Sequence, residues 1–352
     1  MARQWILTGQ EGFESSLEYQ ENINIPSARD LGPHEVLVKL YAASLNYREL
    51  NISNPESING SITPPVVPGC DGAGTVEAIG SSVHGFRIGD RVITTCVLQP
   101  VDDAPCTILD VPGSLGQGTD GTLRSWGTFP ESALVHAPKS LEWLPAATLT
   151  CNWATAWNAL FGLKGNEAIP SSWVLIQGTG GVSIAVLQIA AAVGATVVAT
   201  TSTDEKAARL KALGAAHVVN YRTTPNWGEE ARRLTPGGRG FDFIIDIGGN
   251  ETLPQSLAAT RVDGIVLVIG HVGDDAPPVP AGSALLHTCV IRGIIAGSRN
   301  QLRDAVRFID EKTIVPAIDD VVFELAEAKS AYRRLKQKKH FAKVVIRIDH
   351  PN

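Results

Sequence analysis

Residues 173–183 read Trp-Val-Leu-Ile-Gln-Gly-Thr-Gly-Gly-Val-Ser, and this segment is the most informative one for the fold class. Its apolar half predicts a buried strand, and a helical pattern over 182–193 follows the glycines and ends at Gly194. In a nucleotide-binding fold the first glycine makes the tight turn, and the second lets the backbone approach a pyrophosphate at the helix N-terminus. Ser183 replaces the usual Gly or Ala at the last position of this fingerprint, but it is small enough for close packing.

Further apolar strands surround this motif and give it the context that it requires. Five further runs are apolar along most of their length, and helical patterns lie between them. These runs cover residues 195–200, 216–220, 241–246, 265–269 and 290–295. One of these helical patterns begins after Thr203 and covers 204–213. Strands of this kind indicate a parallel sheet that is covered by helices on both faces.

The glycine turn and the end of the second strand supply candidate cofactor contacts. The turn offers the backbone amides of Gly178, Thr179, Gly180, Gly181 and Val182. The second strand ends in Thr200–Thr203 and lacks the acidic residue that would bind the 2′-hydroxyl of NAD. Ser202, the cation Lys206 and Tyr221 after the third strand suit a 2′-phosphate instead. The sequence therefore favours NADPH, with NADH as the alternative, and an exposed helix lysine is the other interpretation of Lys206.

The rest of the chain has a different sequence pattern. Short apolar runs separated by Gly and Pro are typical of a β-rich domain, and residues 99–121 predict a long surface loop. The tail predicts two helices and a last strand, over 302–312, 327–337 and 343–347. We therefore expect an α/β protein with a β-rich domain over 1–150, a nucleotide-binding domain over 151–298, and a C-terminal segment over 299–352 that rejoins the first domain.

Composition excludes several classes of function. The 352 residues carry a net charge of −6, and the basic tract 333–339 is interpreted as a solvated helix face, so nucleic-acid binding is not expected. An odd number of cysteines, five, without C-x-x-C spacing indicates reduced thiols in the cytoplasm. The most apolar stretch, 173–201, is interrupted by its glycines and by Gln188, so no membrane span is expected.

Several further motifs together carry a family resemblance. They lie at residues 69–80, 89–92, 146–149 and 155–157, and with them the chain resembles the medium-chain dehydrogenase/reductase superfamily over essentially its full length. Residues 44–50 and 340–345 are similar to its quinone-reductase-like, zinc-independent branches. The resemblance implies a GroES-like catalytic domain, a Rossmann domain and often a homodimer.

The same resemblance argues against a zinc ion. Zinc-dependent members use a Cys early in the chain and a His in a Gly-His-Glu motif, and the matching positions here are Asn46 and Cys70. A cysteine-rich lobe for a structural zinc is also absent from the sequence, since the expected loop region offers only Cys96 and Cys106. We therefore expect no zinc, with Cys70 as a small buried residue.

Candidate catalytic residues lie in the segment that resembles the quinone reductases. Tyr47 is a candidate proton donor or polariser of a carbonyl, and Asn46 is a candidate hydrogen-bond donor to the same oxygen. The alternative is that both residues shape the pocket or contact the nicotinamide. The resemblance places Cys151 near the nicotinamide and implies cofactor contacts at Thr155, Gly270, Gly297, Ser298, Arg299, Phe341 and Lys343.

These residues predict an NADPH-dependent, zinc-independent reductase that acts on an enone, quinone, aldehyde or ketone. The first alternative is a dehydrogenase that oxidises an alcohol. The second is a protein that binds NADPH without hydride chemistry. The expected partners are a small-molecule substrate and a second copy of the chain, with neither nucleic acid nor membrane.

Overall fold

The chain forms two compact units. The computed structural model describes residues 1–56, 59–99, 102–270 and 276–350. The first unit comprises Met1–Ala154 and Ala296–Asn352, and the second comprises Thr155–Ile295. The corresponding segments expected from sequence were 1–150 with 299–352, and 151–298. Residues 100 and 101 of the expected loop lie outside the described residues.

The N-terminal part of the first unit is mostly β-structure. Its strands are β1 (Ala2–Leu7), β2 (Leu17–Ile23), β3 (Glu35–Leu45), β4 (Asp71–Ile79), β5 (Arg91–Thr94), β6 (Trp126–Pro130) and β7 (Leu134–His136). Its helices are α1 (Phe13–Ser16), α2 (Tyr47–Ile52), α3 (Trp143–Ala146) and α4 (Leu149–Phe161), the last of which continues into the second unit.

The second unit is built on a six-stranded parallel sheet. Its strands are β8 (Trp173–Gln177), β9 (Thr196–Thr201), β10 (His217–Asn220), β11 (Phe241–Asp246), β12 (Thr260–Val268) and β13 (Val290–Gly293). Its helices are α5 (Gly181–Val193), α6 (Asp204–Ala212), α7 (Trp227–Arg233), α8 (Leu253–Ala259) and α9 (Ser283–His287). The strand order is β10-β9-β8-β11-β12-β13, so the order reverses next to β8, which is where doubly wound folds bind ligands.

The tail returns to the sheet of the first unit. It contains α10 (Arg299–Lys312), β14 (Val322–Glu324), α11 (Ala328–Lys336) and β15 (Val344–Arg347). β15 pairs antiparallel with β3, and the seven-stranded sheet runs β14-β15-β3-β4-β5-β7 with β6 beside β3. Short 3₁₀ helices in the two units cover Ala28–Asp30, Ile108–Gly113, Glu131–Ala133, Pro236–Gly238, Gly249–Glu251 and Leu325–Glu327.

Both sheets bury the apolar residues that the sequence pattern singled out. Leu175, Val198 and Ile244 are fully buried in the parallel sheet, while Leu40, Tyr332 and other large side chains fill the core of the first unit. The predicted fold class, a β-rich GroES-like domain with a parallel-sheet Rossmann-like domain, is confirmed. Among the described residues, every helix is too short or too polar to span a membrane.

Candidate functional site

The glycine turn opens α5 at the carboxyl end of β8. Gly178 has φ +68°, a conformation that favours glycine, and its N–H donates to the Thr200 carbonyl at 3.0 Å. Gly180 precedes α5, and a Cβ atom added there would meet no atom of the described residues within 4 Å. Among the described residues, no side chain caps this end of α5. The turn therefore offers open space beside a helix N-terminus, where backbone N–H groups favour an anion.

Several other candidate cofactor residues lie at the same edge of the parallel sheet. Ser202 follows β9, and Thr203 caps α6 by accepting from the Lys206 N–H at 3.4 Å. Tyr221 follows β10, and its N–H donates to the Thr201 carbonyl at 3.0 Å. Gly270 follows β12 and lies beside Ile247, which follows β11. The predicted contacts of the second unit thus share one carboxyl edge, apart from Thr155, which is buried in α4.

The remaining predicted cofactor residues belong to the first unit and have contacts there. Ser298 caps α10, and Arg299 bonds to Asp102 and to the Glu131 carbonyl. Phe341 is buried, and a Cβ atom on Gly297 would lie 2.3 Å from the Ala154 carbonyl oxygen. These four residues therefore have contacts within the first unit, and their contacts with a nucleotide stay a prediction.

A buried ammonium organises the centre of the first unit. Lys343 donates to the Leu45 carbonyl at 2.8 Å, to Asn46 Oδ1 at 2.5 Å and to Asp71 Oδ2 at 2.9 Å. The Lys343 and Asp71 side chains are only 4% and 0% exposed. All three ammonium hydrogens thus have protein acceptors, so Lys343 is fitted to hold the site together rather than to contact a cofactor.

The two catalytic candidates have different surroundings. Asn46 is buried, and its amide connects Lys343 to the sulfur of Cys70, which accepts from Nδ2 at 3.6 Å. Its backbone N–H donates to Glu49 Oε2 at 2.6 Å and so fixes the start of α2. Tyr47, the first residue of α2, is 36% exposed. The structure therefore gives Asn46 a positioning role and leaves the Tyr47 phenol partly open to solvent.

Sequence reasoning missed a largely buried cation, Arg48, on the same helix, with a side chain that is 10% exposed. The Arg48 guanidinium donates to Glu49 Oε1 at 2.9 Å, to the Leu115 carbonyl at 3.1 Å and to Ser114 Oγ at 2.8 Å. Its charge contributes to the electrostatic environment of the cysteines described next. A buried, charge-assisted network of this kind fixes side-chain positions strongly.

Three cysteines converge beside this network. The sulfur atoms of Cys70, Cys96 and Cys151 all lie within 4.8 Å of one another. β4 pairs with β5 through Ala73 opposite Ile93, and this antiparallel register, continued by three residues, brings Cys70 opposite Cys96. The cluster was not predicted, because the sequence argument treated Cys96 as part of a loop and weighed each cysteine alone.

Hydrogen bonds of two threonines and one carboxylate hold Cys151 beside the other two cysteines. Thr94, the last residue of β5, donates to the Cys70 carbonyl at 2.6 Å, and Thr150 donates to the Thr94 carbonyl at 2.8 Å. Asp71 Oδ1 accepts from the Cys151 N–H at 3.1 Å and from the Cys70 thiol at 3.3 Å. The first turn of α4 is thereby tied to both strands.

Electrostatics distinguish the three thiols. Hydrogen bonds from Cys151 and Cys70, together with the charges of Arg48 and Lys343, lower the pKa of Cys96 well below its usual value. Burial raises the pKa of Cys70. Of these thiols, Cys96 is therefore the one whose surroundings most favour the deprotonated form.

Comparisons with known proteins agree with this geometry. Residues 32–139 match the family model described as alcohol dehydrogenase GroES-like domain, and residues 181–311 match the one described as zinc-binding dehydrogenase. A zinc-type alcohol dehydrogenase-like protein of Schizosaccharomyces pombe is 42% identical over 338 residues, which cover 94% of each chain.

A reductase and a solved dehydrogenase are also similar to the chain. A crotonyl-CoA carboxylase/reductase of Cereibacter sphaeroides is 26% identical over 90% of this chain and 81% of its own length. The crystal structure of an NAD-dependent alcohol dehydrogenase superimposes with a TM-score of 0.85, at 31% identity, over 99% of this chain and 100% of that chain.

The buried ion pair predicts a large stability effect. Lys343→Met leaves the Asp71 carboxylate buried without its cation, which typically costs about 3–5 kcal/mol. We expect a correspondingly lower free energy of unfolding in urea, and partial recovery in the double variant with Asp71→Asn. Lys339→Met, at an exposed position, is the control and should change stability by less than about 0.5 kcal/mol. Equal effects of Lys343→Met and Lys339→Met would contradict the assigned role.

Proposed function

The chain belongs to the medium-chain dehydrogenase/reductase superfamily. We propose that it is a nicotinamide-dependent oxidoreductase that prefers NADPH and reduces a small carbonyl, enone or quinone. The observation that carries the proposal is the open, uncapped N-terminus of α5 behind the Gly178–Val182 turn. This arrangement fits a pyrophosphate, because the backbone N–H groups supply the donors and no side chain of the described residues fills the space.

The edge of the parallel sheet supports the preference for NADPH. β9 ends in hydroxyl residues rather than in an acid, and Ser202, Lys206 and Tyr221 follow the ends of β9 and β10. A 2′-phosphate needs donors and a cation, whereas an acidic residue would repel it. The solved NAD-dependent relative keeps NADH as the alternative cofactor.

In this proposal each part of the chain has a distinct task. A bound nicotinamide supplies the hydride. The glycine turn binds the phosphates, and the Tyr47 phenol donates the proton that the reduced substrate needs. Asn46 and Lys343 hold the start of α2, and therefore Tyr47, in place. The names of the Schizosaccharomyces pombe relative and of the crystallised relative favour alcohol oxidation as a second candidate function. In that reaction the hydride moves from the alcohol carbon to the oxidised nicotinamide.

The glycine turn provides the first test of the proposal. Gly180→Asp has room for its side chain but places a carboxylate where the pyrophosphate would lie, so we expect the affinity for NADPH to fall by more than about 100-fold with little change in stability. Calorimetric titration of NADPH and NADH measures this, and the unaltered chain should bind NADPH more tightly.

The control for this test is Gly113→Asp, another position where an added Cβ atom meets nothing within 4 Å. It should bind NADPH as the unaltered chain does. Undiminished binding by Gly180→Asp would refute the assignment of the turn. Equal affinities of the unaltered chain for the two nucleotides would remove the phosphate role of Lys206.

The proton donor is tested separately. Tyr47→Phe removes one hydroxyl, and loss of general acid catalysis lowers kcat by about 100-fold or more, while nucleotide affinity is retained. Steady-state kinetics should show this, with Tyr41→Phe, whose ring stacks on Trp143, as the matched control. A kcat for Tyr47→Phe equal to that of the control would exclude Tyr47 as the donor.

We also propose that the chain forms a homodimer through β13. This strand lies at the edge of the parallel sheet, and Val290 and Ile291 on it are 44% and 36% exposed. Leu285 and Leu286 on the preceding α9 are more than 80% exposed. An apolar edge strand is a template for pairing with another chain, and a second copy would cover it.

Light scattering tests the dimer. We expect twice the 37.4 kDa chain mass for the unaltered protein and the single-chain mass for Val290→Lys, because a charge on the edge opposes strand pairing. Val315→Lys, at an exposed valine of the first unit, should remain dimeric. A monomeric unaltered protein at all concentrations would contradict the proposal.

A further inference from the structure

Three buried or half-buried thiols in the first unit have no part in the proposed hydride transfer. Their sulfur atoms lie within 4.8 Å of one another. A tetrahedral zinc ion with thiolate ligands at about 2.3 Å holds those sulfur atoms roughly 3.8 Å apart. The observed separations therefore exceed the zinc-bound value by no more than about 1 Å.

We propose that Cys70, Cys96 and Cys151 bind one thiophilic divalent cation, and that Zn²⁺ is the ion their chemistry favours. Thiolate sulfur is the ligand that zinc prefers over the hard cations Mg²⁺ and Ca²⁺. Three protein ligands are also the number found in catalytic zinc sites, which keep another position for water or substrate. When bound, such an ion would supply Lewis-acid polarisation of a substrate oxygen.

The new element of the proposal is Cys96. The sequence comparison expected no zinc because Asn46 and Cys70 occupy the positions of a Cys and a His. The register of β4 and β5 places Cys96 opposite Cys70 and thereby restores a third ligand that position 46 no longer supplies. The donor set is therefore three sulfurs, contributed from just before β4, just after β5 and the first turn of α4.

Hydrogen bonds with surrounding groups fix the positions of Cys70 and Cys151. Asn46 donates to the Cys70 sulfur, and the Asp71 carboxylate accepts from the Cys151 backbone N–H. Such outer contacts orient metal ligands and raise affinity. Asp71 also accepts the Cys70 thiol hydrogen, a proton that leaves when the sulfur becomes a metal ligand.

The charge of three thiolate ligands also calls for a divalent cation. Three buried thiolates alone would carry three negative charges, which is costly in a dry interior, and a divalent ion leaves one. The nearby acids Asp71 and Glu49 are each paired with a cation, Lys343 and Arg48, so those four groups add no net charge. The ion therefore neutralises two of the three negative charges that ligation by thiolates creates.

Metal uptake by the full-length chain tests the proposal without any turnover measurement. The reduced protein is stripped with a chelator and titrated without oxygen with Zn²⁺ or Co²⁺. We expect one ion per chain by elemental analysis and a thiolate-to-cobalt charge-transfer band. Cys96→Ser should weaken metal affinity by more than about 100-fold, since even outer-contact residues contribute roughly 10–100-fold.

The matched control is Cys106→Ser, which alters a partly buried thiol outside the cluster whose sulfur donates to the Gly297 carbonyl. It should retain the affinity and the cobalt spectrum of the unaltered chain. No stoichiometric uptake by the unaltered protein would overturn the proposal. A Cys96→Ser protein with an unchanged spectrum would overturn the role of Cys96.

A second measurement applies if Cys96→Ser does not fold. Alkylation of the unaltered chain in a urea concentration that exposes the metal-free thiols, read by mass spectrometry with and without Zn²⁺, should show the metal protecting Cys70, Cys96 and Cys151 but not Cys106 or Cys289. Equal modification of Cys96 under both conditions would refute its ligation. Nucleotide binding is measured independently, so failure of the metal site and failure of the proposed function are distinguishable.

Discussion

The hydrogen bonds and the ion pair of the buried Lys343 ammonium are the interactions on which the first unit most depends. It joins the final strand to the end of β3 and the start of β4 across almost 300 residues of sequence. A buried charge is tolerated only when its partners satisfy it, so the tail must return to this sheet. The Asp71 carboxylate extends this network to the cysteine cluster, because it also accepts hydrogen bonds from the Cys70 thiol and the Cys151 backbone N–H.

Much of the second unit could be predicted from local sequence. The apolar run over 173–177 and the helix that begins after Thr203 were placed correctly, because buried parallel strands and capped helices leave strong local patterns. The predicted strand over 265–269 is longer in the structure, as β12 begins at Thr260. The strand order was not predicted, since it depends on contacts distant in sequence.

The site of the first unit was predicted less well for the same reason. The resemblance drew attention to Asn46, Tyr47 and Lys343, but their contacts depend on how β3, β4 and β15 pair. Cys96 carried no motif, and its two sulfur neighbours depend on the β4–β5 register and on the hydrogen bonds that tie α4 to these strands. Arg48 was missed because a buried arginine has the same sequence signature as an exposed one.

The proposed function depends on the transfer of hydride from a nicotinamide to a substrate carbon. It is tested most directly by mixing the protein with NADPH deuterated at the transferring C4 position and a panel of enones, quinones, aldehydes and ketones, with deuterated NADH in parallel. We expect oxidation of NADPH and, for the enone, aldehyde or ketone that is turned over, one deuterium on a product carbon. A protein that is saturated with nucleotide yet oxidises neither form across the panel would contradict it.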